Sequence, residues 1–137
     1  IKQAIAVNQP DPEDPLDVLA KVGGLDIAGM CGLFLGGAAQ RMPVVMDGFI
    51  SQVAALTAVR LVPECADYIL ASHVSEEPGA NILLKALEKD AFLTCGMRLG
   101  EGSGAVALFP ILDFASDIYH KMSTFVQADI VEYQPLD

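Results

Sequence analysis

Glu101 stands between Gly100 and Gly102 in the run RLGEGSGA (98–105). Glycine-rich turns at a helix start usually present backbone N–H groups to phosphate. A carboxylate in that place repels phosphate. It can instead accept a proton from a ligand that the bare glycines allow to come close. The plainer alternative is a charge favoured at a helix N-terminus. The run is neither a P-loop nor the glycine fingerprint of a dinucleotide site. Asp47-Gly48 reads equally as turn chemistry or as a carboxylate at the mouth of a sheet. In SHVSEEPG (72–79), Ser72, His73 and Ser75 can hold a phosphate or sugar through hydroxyls and backbone N–H groups. Ser72 and His73 are adjacent and no nucleophile elbow surrounds them, so acyl-transfer chemistry is disfavoured. Glu76 and Glu77 read as caps of the following helix. Asp26, just after Gly23-Gly24, reads first as an acid at a helix N-terminus.

These residues need elements to position them. Residues 1–7 read as the end of a helix, and NQPDPEDP (8–15) as a loop. Asp14 caps a helix that has Pro15 in its first turn and runs to about Lys21. Leu25 to Gln40 reads as a helix so rich in glycine and alanine that something must pack closely on it. MPVVMDGF (42–49), DYILASH (67–73) and AFLTCGMRL (91–99) read as three buried strands. Helices are expected from Ser51-capped Gln52 to Leu61, from Ala80 to Lys89, and from Ala105 to Met122. VSEEPG (74–79) reads as a loop, and ADIVEY (128–133) as a short extended piece. Phe109, Phe114 and Tyr119 read as core, Met42, Met46 and Met97 as core or pocket lining, and the cysteines as structural. Strands alternating with helices predict an α/β fold, a parallel sheet with helices on both faces. Ligands bind beyond the carboxyl ends of such strands. Asp47-Gly48, Ser72 to Ser75 and Leu99 to Gly104 occupy those ends.

Composition narrows the function classes. Of 137 residues 53% are hydrophobic and the net charge is −10, which supplies a core and disfavours nucleic acid or an anionic membrane as partner. The pI is about 4.4 and mean hydropathy is +0.43. Cys31, Cys65 and Cys95 are odd in number and lack CxxC spacing, which points to a reducing cytoplasm. Two histidines without shared helical spacing disfavour a zinc site, and no cofactor is expected. No signal peptide or membrane span is read. The chain opens on Ile1 in what reads as a helix already under way, as a fragment or processed product would.

VGGLDIA, MPVVMDGFIS, ASHVSEEPG and GMRLGEGSGA occur in that order and spacing. Together they resemble the C-terminal part of the nicotinate-nucleotide–dimethylbenzimidazole phosphoribosyltransferase family, from about Asn8 to Phe125. The resemblance implies a Rossmann-like, three-layer parallel sheet, this chain being the C-terminal portion of a larger catalytic domain, and a homodimer. It implies transfer of phosphoribose from nicotinate mononucleotide to 5,6-dimethylbenzimidazole, giving α-ribazole 5′-phosphate and nicotinate in cobalamin assembly. Glu101 matches the family's catalytic glutamate, a general base facing a neutral aromatic ring. Asp26 and Asp47 match acids that would stabilise positive charge on the ribosyl group. Gly23, Gly24 and Ser75 match positions near ribose and phosphate, and Met97 and Leu99 would line the benzimidazole pocket. Gly48, Ser72, Gly100 and Gly102 complete the expected substrate contacts. The family's N-terminal part supplies most of that pocket, a glycine-rich phosphate loop and a lysine that would precede Ile1. None of these is in this sequence, so the lone chain is expected to be inactive or very weak. A fold-sharing, non-catalytic ligand-binding or assembly domain is the alternative.

Overall fold

The structure, a computed structural model, describes residues 1–131. Along the chain come α1 (Lys2–Asn8), α2 (Pro15–Val22), α3 (Leu25–Ala39), β1 (Val44–Met46) and α4 (Phe49–Leu61). A 3-10 turn (Pro63–Tyr68), β2 (Ile69–Ala71), β3 (His73–Ser75), α5 (Ala80–Ala86), β4 (Leu93–Met97) and α6 (Ser103–Lys121) follow. The α/β alternation expected from the sequence is present, with shorter strands.

Local chemistry sets the helix starts. The Asp14 carboxylate accepts the N–H groups of Leu16 (2.9 Å) and Asp17 (3.2 Å), and Pro15 opens α2. Asp17 in turn accepts the Asp11 N–H and pairs with Lys21, both at 2.8 Å. The backbone bond first, then the lysine, hold the Asp17 carboxyl below its ordinary range. The start of α4 differs from expectation. Gly48, not Ser51, is its N-cap, and the Ser51 hydroxyl returns to the Gly48 carbonyl at 2.8 Å from inside the first turn.

The middle strand also departs from expectation. Residues 67 and 68 belong to the 3-10 turn, and Val74 and Ser75 are strand rather than loop. Two short parallel sheets result, β1 with β2 and β3 with β4. Ser72 joins them. Its N–H donates to the Met46 carbonyl (3.2 Å) while its own carbonyl accepts the Leu93 N–H (3.0 Å). The extended run 69–75 therefore pairs with β1 through its first half and with β4 through its second. His73 faces Leu93 and Ser75 faces Met97, so two residues of β3 advance as far as four of β4. The slack is taken up in β4 near Gly96, whose φ is 62°.

The core lies between α3, α4, the 3-10 turn and β1/β2. Ala54, Ala55 and Ala58 of α4 are fully buried and let α3 come close, with Cys31, Phe34, Cys65, Met46 and Ile69 filling the space. Burial pushes the thiols of Cys31 and Cys65 up, while Cys95 is exposed. Of the α3 glycines, Gly37 packs against Val44. A side chain at Gly29, Gly32 or Gly36 would meet nothing within 4 Å in this chain. Within this chain α3 packs closely on α4, and of its glycines Gly37 alone has a close neighbour. The aromatic residues of α6 are likewise not core: Phe109, Phe114 and Tyr119 are 50%, 68% and 84% exposed, and Met42 is exposed too. Only Gly104 and Leu108 of α6 are buried, because the helix leaves the body of the fold after its first turns. Ala128 and Asp129 lie in a turn, and ADIVEY runs on into residues outside those described.

A carboxylate docks the start of α6, beside the burial of Leu108. Asp47, one residue beyond β1, accepts N–H groups from Gly102 on Oδ2 (3.1 Å) and from Gly104 and Ala105 on Oδ1 (2.7 and 3.1 Å). A side chain at Gly104 would collide with the His73 ring and the Asp47 carboxylate. By contrast the Gln52 carboxamide, fully buried on α4, has no hydrogen-bond partner among the described residues.

Three stability changes follow, each read from chemical denaturation midpoints. Asp47→Ala loses about 2–3 kcal/mol, the cost of an uncapped helix end and its charge-assisted bonds. Gly104→Ala loses about 1–3 kcal/mol by overpacking. Gln52→Met gains about 1 kcal/mol, because an unsatisfied buried amide is replaced by an apolar chain of similar length.

Candidate active site

A cleft of about 570 Å³ opens beyond the carboxyl ends of β1, β3 and β4. That volume suits a ligand of drug or nucleotide size. One wall is apolar, with Met30, Leu33, Phe34, Val44, Phe49 and Ile50. The turn Leu99–Gly102 also lines the cleft, with Leu99 76% exposed. Asp47, Glu77 and Glu101 bring three carboxylates to the lining, against the single guanidinium of Arg98. His73 and Ser75 come from β3.

Glu101 is held in a costly conformation. Gly100, Glu101 and Gly102 all have left-handed backbone, with φ of 75°, 58° and 76°. A glutamate in that region costs roughly 1 kcal/mol or more, and such strain persists only where the surroundings impose it. Two anchors impose it here. The Ser103 N–H and hydroxyl both donate to the Gly100 carbonyl, at 3.0 and 2.7 Å. The Gly102 N–H is bound by Asp47. The Glu101 side chain is exposed and accepts no hydrogen bond among the described residues, so its carboxylate is free to act on a ligand.

Behind the cleft runs a short polar chain. The Ser72 hydroxyl donates to the Asp47 carbonyl (3.1 Å) and lies 2.9 Å from His73 Nδ1. A hydroxyl with one proton satisfies both contacts only by donating to the carbonyl and accepting from the ring, which assigns the hydrogen between Ser72 and His73 to Nδ1. Nδ1 is also 4.0 Å from Asp47 Oδ1.

The structure brings together Asp47, Gly48, Ser75, Leu99, Gly100, Glu101 and Gly102 around this cleft. Ser72 is buried behind them. Gly23, Gly24 and Asp26 lie at the start of α3, and Met97 ends β4; none of the four is in the cleft lining. The contribution of His73 is not separable by sequence from its pairing with Ser72. The glycine at 104 is the one local signal of it, since a small residue there marks a close approach.

Comparisons with known proteins place the chain in a family. The family model described as Phosphoribosyltransferase matches residues 1–130. The nicotinate-nucleotide–dimethylbenzimidazole phosphoribosyltransferase of Ruminiclostridium cellulolyticum is 55% identical over 137 residues, all of this chain and 39% of that protein. The protein of the same name from Clostridium acetobutylicum is 52% identical over 136 residues, 99% of this chain and 39% of that one. The crystal structure of CobT from Thermus thermophilus superposes with a TM-score of 0.88 at 37% identity, covering 96% of this chain and 39% of that chain. The chain thus spans about two-fifths of the length of the relatives it matches. On the match of the family model to nearly the whole chain and the identity of these relatives, the chain belongs to the nicotinate-nucleotide–dimethylbenzimidazole phosphoribosyltransferase family.

Proposed function

We propose that this chain is the C-terminal catalytic portion of a cytoplasmic enzyme that transfers phosphoribose from nicotinate mononucleotide to 5,6-dimethylbenzimidazole. Nicotinate and α-ribazole 5′-phosphate are the products, used in the lower-ligand nucleotide of cobalamin. The observation that carries this reading is Glu101: a carboxylate with no partner among the described residues, on an imposed left-handed turn, in a cleft that also has an apolar lining. Such a site suits a flat aromatic ring with one N–H to lose. Glu101 takes that proton while the other ring nitrogen attacks C1′. The bond from C1′ to the pyridine nitrogen breaks, its electron pair neutralising the pyridinium, and the configuration inverts from β to α. Asp47 sets the turn and adds negative potential beneath the ribosyl cation. Ser75, Gly48, Gly100 and Gly102 border the substrates, and Leu99 covers the ring. Roles for Asp26, Gly23, Gly24, Ser72 and Met97 rest on the family resemblance alone.

Three carboxylates against one guanidinium make a poor grip for phosphate. This favours a phosphate site supplied by the rest of a full-length protein, completing a three-layer Rossmann-like domain. The apolar residues exposed on α6 and the bare glycines of α3 support cover by that part or by a second copy in a homodimer. Three free thiols support the reducing compartment. The same charge balance favours, for the 137 residues alone, ligand binding without turnover.

The test is product formation, followed by chromatography, from nicotinate mononucleotide and 5,6-dimethylbenzimidazole. The full-length protein should form α-ribazole phosphate, and Glu101→Ala should lower its rate by about 10²-fold or more. The 137-residue chain should turn over negligibly. A full-length protein that folds and binds the base but forms no product would make Glu101 a recognition residue.

A further inference from the structure

His73 is 2% exposed, yet its ring borders the cleft. Its Nδ1–H is committed to Ser72, whose own proton is committed to the Asp47 carbonyl. In the neutral ring this leaves Nε2 as a lone-pair acceptor. No group among the described residues donates to it. It lies beside Gly48. A Cβ built on Gly48 would stand 3.9 Å from both His73 Nε2 and Ser75 Oγ. A glycine there leaves a gap on which an acceptor nitrogen and a hydroxyl converge. Water can fill such a gap in the free protein. A ligand that displaces it without loss must bring a hydrogen-bond donor to the nitrogen.

We infer that His73 Nε2 accepts a hydrogen bond from a hydroxyl of the pentose in the nucleotide substrate, a contact that reads sugar identity in the cleft. The inference rests on the phosphoribosyl-transfer reading above and adds to it a specificity-determining residue. The chemistry selects the hydroxyl over other parts of the substrate. At neutral pH the phosphate is mostly dianionic and a carboxylate is ionised, so both are acceptors rather than donors. A sugar hydroxyl donates to Nε2 and leaves the neighbouring Ser75 hydroxyl free to serve an adjacent oxygen.

The test uses the full-length protein and two substitutions. His73→Asn keeps an N–H near the place of Nδ1 and removes Nε2, whereas His73→Gln reaches a carbonyl oxygen toward the place of Nε2. Calorimetric binding and steady-state kinetics compare nicotinate mononucleotide with its 2′-deoxy and 3′-deoxy analogues. His73→Asn should bind the ribonucleotide about tenfold more weakly, mostly as a rise in KM, the effect of one lost hydrogen bond. It should bind one deoxy analogue as wild type does, and His73→Gln should recover much of the loss. A folded His73→Asn variant with unchanged binding, or with the same loss for all three nucleotides, overturns the inference. So does a loss that disappears as pH rises, which would mark an imidazolium bound to phosphate. If His73→Asn does not fold, the ¹⁵N resonance of His73 Nε2 in the wild-type protein decides. It should move upfield with the ribonucleotide and stay in place with one deoxy analogue, and no movement with any of them overturns the inference. Wild type that binds none of the nucleotides overturns the transferase reading itself, a result distinct from these.

Discussion

One carboxylate organises this molecule. Asp47 leaves β1 and accepts three N–H groups at the start of a helix more than fifty residues later. A helix start has unpaired donors and partial positive charge, and Asp47 supplies both partners and charge from another element. The bond to Gly102 fixes the turn that displays Glu101, the bonds to Gly104 and Ala105 fix α6, and the Asp47 carbonyl fixes Ser72 and so His73. Four features of the cleft thus hang from a single residue at the end of a three-residue strand.

Strain at Glu101 follows from that arrangement. Three successive residues with positive φ form no common turn, and two are glycines because they must be. The middle one is a glutamate. The surrounding anchors make the conformation tolerable, and what the fold obtains is an anchored carboxylate with no hydrogen-bond partner among the described residues. Preorganisation of this kind lets a base act without first breaking bonds of its own.

Much of this is legible in the residues. The alternation of apolar runs and helical stretches gives the α/β class, and Asp14-Pro15 gives the start of α2, because both are local patterns. Glycines around Glu101 announce the turn. Other features leave little trace. Ser51 has the chemistry of a cap for α4, but a hydroxyl three residues inside the helix can bond its carbonyl as easily, and Gly48 takes the position. The tie between Asp47 and Gly104 joins residues far apart in sequence, and no periodicity reports it. Phe109, Phe114 and Tyr119 have the chemistry of a core and lie on a helix that leaves the body of this chain. Asp26, at the start of α3, is grouped with the other acids by resemblance, while α3 lines the cleft in this chain only from Met30 onward, through Met30, Leu33 and Phe34.

The handover at Ser72 has a consequence for assembly accuracy. The run 69–75 is read on two sides, by β1 over its first half and by β4 over its second. A slip of one residue reverses which side chains face which side. Val74 would then replace His73 in the cleft, and a misaligned pairing on one side would be contradicted on the other. The seven residues work like a key cut on both edges: only one alignment satisfies both neighbours, and that alignment is the one that builds the site.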